Sequence, residues 1–118
     1  MRHRVRTHKF GRDKAHTTAM MRNLVTSLVL HEKIRTTSAK ARALEETFST
    51  LVTRVRGKEM HNQIRLLSEV FYSDIPSKKM REVLLPRFEG RASGFIRTTK
   101  LTNRKGDNAP VVLVEFVS

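Results

Sequence analysis

The sequence predicts a two-layer α+β fold, in which three to four helices pack on a small sheet and an extended basic arm precedes them. Apolar residues recur at helical spacing between residues 15 and 86, and two β-rich segments close the chain. The first sixteen residues hold six Lys or Arg, three His, one acid and few apolar side chains, so they have little to bury. We therefore expect a separate basic arm over 1–14 and one globular α+β domain over 15–118.

The first helix is predicted over about residues 15–31, with Asp13 or Thr17 as its cap. Its inward side carries five apolar residues, with Arg22 and Thr26 facing away: Met21, Leu24, Val25, Leu28 and Val29. Residues 33–37 are rich in β-branched side chains between two helical patterns, which predicts a short strand.

The second helix is predicted over 39–56, because its apolar residues follow a 3-4-3-4 spacing. Ser38 is its expected cap, and Gly57 suits the left-handed position that ends a helix. Val52 widens an apolar stripe formed by Ala41, Leu44, Phe48, Leu51 and Val55.

A third helix is predicted over about 58–72, with Met60, Ile64, Leu67 and Phe71 on its apolar side. Residues 73–76 are predicted to form a turn, because proline disfavours helix at the residue before it. Ser77 would then cap a shorter fourth helix, and Pro86 should end or kink it. The inward residues of that helix are expected to be Met80, Val83 and Leu84.

The C-terminal part predicts an antiparallel hairpin with strands at 94–101 and 110–117. The connecting residues 102–109 contain Asn, Gly and Asp, which favour turns. Residues 111–117 are apolar except for Glu115, which is typical of a strand covered on part of both faces. The helices should cover one face of the sheet.

The charge distribution points to a polyanionic partner. The net charge is +13, and the first 42 residues carry eleven Lys or Arg against two acids. A bound nucleic acid would relieve the self-repulsion that such a charge creates. A membrane-surface protein would need an apolar helix face behind its charges, which the first sixteen residues lack. The same lack argues against an organellar transit peptide, and no secretory signal is visible.

Residue types that carry catalysis or bind metals are scarce. Without cysteine, disulfides, zinc knuckles and thiol catalysis are excluded. His31 and Glu32 begin like a zinc-protease motif, but Arg35 stands where the second His should be. The acids are scattered beside basic residues along helices, and no phosphate-cradling glycine loop or nucleophile motif occurs. We expect no enzyme activity, no cofactor and no metal.

Basic residues are therefore the candidates for function. Arg2, Arg4 and Arg6 alternate with other residues, so an extended arm would present them to both sides of a groove. Arginine contacts phosphate through two donors and stacks on exposed bases, which suits irregular RNA. The candidates in the arm and just after it are Arg2, His3, Arg4, Arg6, His8, Lys9, Arg12, Lys14 and His16. Secondary candidates in the domain are Arg22, Lys40, Arg42, Arg97, Arg104 and Lys105.

An ordered set of residues over the whole chain resembles the bacterial-type large-subunit ribosomal protein seventeen family. In the first half the matching residues are 1–4, Arg12, His16, 19–23, Leu28, 31–32, 34–37 and 40–41; in the second half they are 86–88, 91–95 and 104–110. The stretch 5–10 departs from the expected Gly/Ser/Lys-like pattern. Residues 45–80 match the family more in helical layout than in residues.

The resemblance implies a structural protein of the large subunit that binds large-subunit ribosomal RNA near the outer end of the peptide exit tunnel. Its partners would be that RNA and neighbouring ribosomal proteins, without a membrane or small-molecule substrate. A bacterial cytoplasmic ribosome is favoured over an organellar one. The competing hypotheses are a non-ribosomal nucleic-acid-binding protein, of the RNA-chaperone or nucleoid type, and an enzyme acting on RNA.

Overall fold

A computed structural model describes residues 8–117, so the predictions for Arg2, His3, Arg4 and Arg6 lie outside the described part. Helix α1 is Lys14–His31, followed by strand β1, Lys33–Thr37, and helix α2, Ser38–Val55. Helix α3 is Met60–Ser68 and α4 is Asp74–Lys79, which continues through a π-helical turn, Met80–Leu84, into the short α5, Leu85–Arg87. Strands β2, Ile96–Lys100, and β3, Val111–Phe116, complete the fold. The predicted α+β fold, with helices on a small sheet and a C-terminal hairpin, is confirmed.

The sheet is antiparallel in the order β1-β3-β2, so the last strand in sequence is the central one. Val112, Val114 and Phe116 of β3 are buried against the helices, while the alternate residues of β3 are half-buried on the opposite, outer face. Four phenylalanine rings fix this packing around Phe48 of α2. Its ring centroid lies 6.2 Å from that of Phe88, 6.3 Å from Phe95 and 5.0 Å from Phe116. The aromatic cluster thereby joins α2, the end of α5, the residue just before β2, and β3.

Helices α1 and α2 begin and end for identifiable reasons. Asp13 caps α1, since its Oδ1 accepts a hydrogen bond of 2.8 Å from the His16 N–H. The cap of α2 is Thr37, so the expectation for Ser38 is wrong; the Ser38 N–H instead donates to the Pro110 carbonyl at 3.1 Å. Gly57, the second residue after α2, adopts a φ of 77°, as its expected left-handed role requires.

Glu32 closes α1 in a left-handed conformation with a φ of 62°. Its carboxylate accepts a hydrogen bond of 3.1 Å from Arg87 and lies 3.5 Å from the Lys79 ammonium. Lys79 also donates to the Leu30 carbonyl at 3.2 Å. Two cations thus bind the C-terminal end of α1, where the helix dipole favours positive charge, and tie it to the helices after residue 73.

The region 58–86 differs most from the sequence prediction. Met60 and Ile64 are 67% and 44% exposed, and α3 ends at Ser68, although Leu67 and Phe71 are buried as expected. Residues 74–76 are helical instead of a turn, because a proline in the first helical turn has no intrahelical N–H bond to lose.

Two details of the fourth helix are also corrected. Ser77 lies buried within α4 and is not its cap; Ser73 takes the cap position. The π-helical turn adds a residue before Pro86, with the Leu85 N–H bonded to the Met80 carbonyl. Met80 and Leu84 remain inward, but Val83 is 43% exposed, contrary to the prediction.

Candidate nucleic-acid interface

Residues 8–13, the described end of the predicted arm, fold back onto the helices. The His8 Nε2 lies 3.1 Å from the Glu46 carboxylate on α2, and its ring stacks on Phe10 with centroids 5.9 Å apart. Phe10 packs against the core, and the Arg12 N–H bonds to the Lys9 carbonyl in a tight turn. His8 therefore already has a partner within the protein, so an RNA contact at His8 would have to replace its contact with Glu46.

The other candidates near the start of α1 remain accessible. Lys9, Lys14 and His16 are exposed, while Arg12 and Arg22 are half-buried. The first turn of α1 has no acidic residue, although the Asp13 cap precedes it. Lys14 and His16 are two residues apart and lie on different sides of α1, so these cations surround the start of the helix.

A second group of cations surrounds the N-terminal end of α2. A groove of about 580 Å³, here called the basic groove, opens between β1, the start of α2 and the hairpin loop. Arg35, Lys40 and Arg104 line it together with Thr36, Thr37 and Asn103, and no acidic residue lines it. Among the described residues, no carboxylate lies within 4.0 Å of Arg35 or Lys40. The structure thus joins the predicted candidates Lys40 and Arg104 with Arg35.

The backbone of α2 adds to the positive potential of the basic groove. Thr37 makes no side-chain capping bond, and the first turn of this 18-residue helix contains no acid. The first N–H groups of a helix lack intrahelical partners and carry the positive end of the helix dipole. Together with three cationic side chains, this helix end is suited to a phosphate group.

Arg42 lies on the other side of α2 from Lys40. It lines a smaller groove of about 250 Å³ with Lys100, Glu45 and Thr98. Side chains that are two residues apart on a helix point to different sides. Lys40 and Arg42 therefore place cations on both sides of the same helix end. Glu45 reduces the net positive charge of the smaller groove, which therefore attracts anions less strongly than the basic groove does.

The outer face of the sheet extends the basic groove. Strand register places Lys33, Glu115 and Arg97 in one row across the three strands, and Arg35, Leu113 and Thr99 in the next. Glu115 lies 3.7 Å from the Lys33 ammonium, while Arg97 is exposed and has no carboxylate within 4.0 Å among residues 8–117. The helices cover the opposite face. This face therefore presents Arg35 and Arg97 to solvent on a rigid support.

The hairpin loop holds Arg104 in place. Its Nε donates to the Asp107 Oδ1 at 3.1 Å, and its backbone N–H donates to the Ala109 carbonyl at 2.8 Å. The hydrogen bond from Arg104, followed by that from the Ala109 N–H, lowers the pKa of Asp107 to about 2. Asp107 thus offsets part of the Arg104 charge, whereas Lys105 at the loop tip is exposed.

Sequence reasoning missed Arg35 and Lys100. Arg35 stands in an alternation of Lys33, Arg35 and Thr37 with inward Ile34 and Thr36, a period-two pattern that identifies the outer face of β1. No comparable signal marks Lys100, because its position beside Arg42 depends on how the hairpin packs on α2.

Within the described residues, no group of three or more His, Cys, Asp or Glu side chains is placed to hold a metal ion. No helix in this part of the chain is long and apolar enough to cross a membrane. The arrangement is thus one of cationic surfaces on a rigid support.

The chain matches known proteins over nearly its whole length. A family model described as ribosomal protein L17 matches residues 20–117. Large ribosomal subunit protein bL17m of Schizosaccharomyces pombe is 44% identical over 92% of this chain and 54% of its own length. The bL17 protein of Syntrophotalea carbinolica is 38% identical over 99% of this chain and 75% of its own length. That of Thermomicrobium roseum is also 38% identical, and the match covers the full length of both chains. The chain spans about half the length of the S. pombe relative.

Proposed function

Because this chain belongs to the ribosomal protein L17 family, a structural and non-enzymatic family of the large ribosomal subunit, we propose that it binds large-subunit ribosomal RNA through the basic groove and the outer sheet face. The observation that carries the proposal is the convergence of Arg35, Lys40 and Arg104 on the start of α2. These residues come from three separate parts of the chain, and none is needed there for the hydrophobic core.

The chemistry of the groove favours RNA backbone over protein as its occupant. Phosphates bind to helix N-termini and to Arg and Lys side chains, and such contacts position a protein on nucleic acid. Threonine and asparagine side chains beside the cations supply further hydrogen bonds to phosphate or sugar oxygens. The outer sheet face offers Arg35 and Arg97 for stacking on unpaired bases, as irregular ribosomal RNA provides.

We expect the basic arm to add RNA contacts to those of the basic groove. In this proposal residues 1–7 thread between RNA helices and contact phosphates, while residues 8–13 keep their packing on the helices. Deleting residues 1–7 removes three arginines and leaves the His8–Glu46 contact in place. We expect the deletion to reduce the slope of log affinity against log salt by about 2 to 3, at 0.7 to 0.9 per lost phosphate contact. Filter-binding titrations from 50 to 200 mM salt measure it; an unchanged slope with unchanged melting would refute the role of the arm.

Location on the ribosome is the finer part of the proposal. The family resemblance supports a site near the outer end of the peptide exit tunnel, next to other large-subunit proteins. Crosslinking of the intact protein in cells, followed by sequencing of the attached RNA, tests this placement. Crosslinks confined to RNA far from the tunnel exit would overturn it.

Sedimentation separates the ribosomal function from the alternative of an RNA chaperone or nucleoid protein. A ribosomal constituent co-migrates with large subunits in a sucrose gradient at moderate salt. Abundant free protein with equal affinity for random duplex DNA would favour the alternative. The relatives include bacterial proteins and a mitochondrial form, so cell fractionation tests the further expectation of a bacterial cytoplasmic ribosome.

A further inference from the structure

The outer edge of β2 has no partner strand among the described residues. The sheet order is β1-β3-β2, so β2 pairs with β3 on one side only. Every residue of β2 after Ile96 is exposed, on both faces of the sheet. In β1, the other edge strand, three of the five residues are half-buried. The free edge of β2 is therefore the more open of the two sheet edges.

The hydrogen-bond pattern shows which backbone groups face this free edge. At one end of β2 the Phe95 carbonyl accepts a bond of 3.0 Å from the Val117 N–H, and at the other end the Leu101 N–H donates to the Val111 carbonyl at 2.9 Å. In an antiparallel ladder, such hydrogen-bonded residues alternate with residues whose backbone groups point the other way. Residues 96, 98 and 100 therefore turn three N–H and three C=O groups away from β3. No backbone hydrogen bond joins these groups to a helix or loop in the part of the chain that the structure describes.

A groove beside the free edge can receive side chains. It is the smaller groove of about 250 Å³, which opens between the start of α2 and β2. The strand register places Thr98 opposite Val114 and Lys100 opposite Val112, which are both buried valines on the helix-facing side of the sheet. Thr98 and Lys100 are nevertheless exposed and line this groove. A strand added beside β2 would lay alternate side chains over the groove and the others on the outer face.

The charges around the free edge favour an acidic occupant. Arg97 on the outer face, and Lys100 and Arg42 on the groove side, have no carboxylate within 4.0 Å among residues 8–117. Opposite charges on neighbouring strands are stabilising, whereas like charges directly opposite each other are destabilising. A second copy of this chain would bring its own Arg97 and Lys100 to the edge, together with a net charge of +13. Pairing of two β2 edges is therefore disfavoured.

The backbone groups at the free edge distinguish a polypeptide from RNA phosphate. Phosphate oxygens accept hydrogen bonds, so they could pair with the three N–H groups but would leave the three carbonyls without donors and close to negative charge. An extended polypeptide offers N–H and C=O groups in the same alternation, which is how sheet edges recognise peptides.

We propose that the free edge of β2 binds an extended acidic segment of another protein, which joins the sheet as a fourth strand. One acidic side chain of the segment would lie opposite Arg97 on the outer face. A second, three residues away, would lie over the groove beside Lys100 and Arg42. The outer face of β1 and β3 stays open, so this inference does not depend on RNA binding there.

The direct test records ¹H–¹⁵N NMR spectra of the intact protein with a short probe peptide of Val and Thr residues that carries two glutamates three residues apart. Binding should shift the amide signals of residues 96, 98 and 100 and slow their exchange with solvent. No shift at about 1 mM peptide, or shifts only elsewhere, would overturn the proposal. Replacing both glutamates by glutamines should weaken binding about 2- to 30-fold, because two cross-strand ion pairs are lost. An unchanged affinity would refute the acidic partner.

A matched pair of variants tests the backbone contact. Thr98→Pro removes one N–H at the free edge and none of the bonds to β3, since proline is tolerated where an edge strand faces solvent. Thr98→Ala keeps the N–H. The proline variant should bind the peptide about 2- to 13-fold more weakly than the alanine variant, the contribution of one hydrogen bond. Equal affinities would overturn the proposal. Should Thr98→Pro fail to fold, the amide signals of the unmodified protein still decide.

Other occupants of the free edge give different results. Slower exchange of the three edge amides with large-subunit ribosomal RNA, but not with the peptide, would assign the edge to RNA. Slower exchange as the protein concentration alone is raised would assign it to a second copy of this chain. Either result overturns the proposal. The RNA-binding proposal is tested separately by Arg35→Gln, which leaves the edge of β2 unchanged.

Discussion

Neutralising the basic groove gives the sharpest test of the proposed RNA binding. The double variant Arg35→Gln and Lys40→Gln removes two cations that have no carboxylate within 4.0 Å among the described residues, and neither belongs to the buried core. If each contacts one phosphate, the slope of log affinity against log salt falls by about 1.4 to 1.8. Raising salt fourfold, from 50 to 200 mM, then costs the variant about 7- to 12-fold less affinity than it costs the unmodified protein.

The assay is a filter-binding titration with large-subunit ribosomal RNA at four or more salt concentrations. A double variant with Arg65→Gln and Lys78→Gln is the control, because it loses the same charge from exposed residues that line neither site. Its slope should match that of the unmodified protein. An equal decrease in both double variants would show that net charge, and not the groove, governs binding. An unchanged slope in the groove variant would refute phosphate contacts at Arg35 and Lys40.

Two further predictions concern stability. Phe48→Ala opens a cavity at the centre of the four-phenylalanine cluster and should lower the free energy of unfolding by about 3 to 5 kcal/mol. Chemical denaturation measures this loss. A decrease below about 1 kcal/mol would contradict the packing described around Phe48. Burial raises the pKa of Glu32, but the hydrogen bond and charge of Arg87, with those of Lys79, outweigh it and lower that pKa overall. The carboxylate therefore stabilises the fold above its unfolded pKa of about 4.3, and this contribution is lost as the pH falls through the lowered folded value. Glu32→Gln should unfold more readily than the unmodified protein at pH 7 and about equally at pH 2; a stability gap that does not depend on pH would contradict the ion pairs.

The sequence predicted the elements whose patterns are local. Strand β1 was identified over residues 33–37 because β-branched residues lie between two helical patterns, and α2 because its apolar spacing continues for four turns. Between residues 58 and 86 the local pattern was misleading. Pro76 predicts the end of a turn, but proline is tolerated in a first helical turn, and α4 includes it. Regular helical spacing predicts an inward Val83, because that spacing does not include the π-helical turn at residues 80–84.

The proposed binding surfaces depend on contacts between distant parts of the chain, whereas most elements of the fold follow from local patterns. Composition indicated a nucleic-acid partner, and Lys40 and Arg104 were among the candidates, yet no local pattern shows that the two line one groove. No local pattern shows that Arg56 and Arg81 line one cavity, since they are 25 residues apart in the sequence. The sequence also does not show that His8 contacts Glu46, a contact that RNA would have to replace.

The strand order has a consequence for biosynthesis. Strands β1 and β2 each pair with β3 and have no ladder with one another, so both wait for the strand that is translated last of the three. A nascent chain that stops before residue 111 carries its early arginines and lysines without the scaffold that spaces them. The spacing of Arg35, Arg97 and Arg104 is therefore set only once residues 111–116 have joined the sheet.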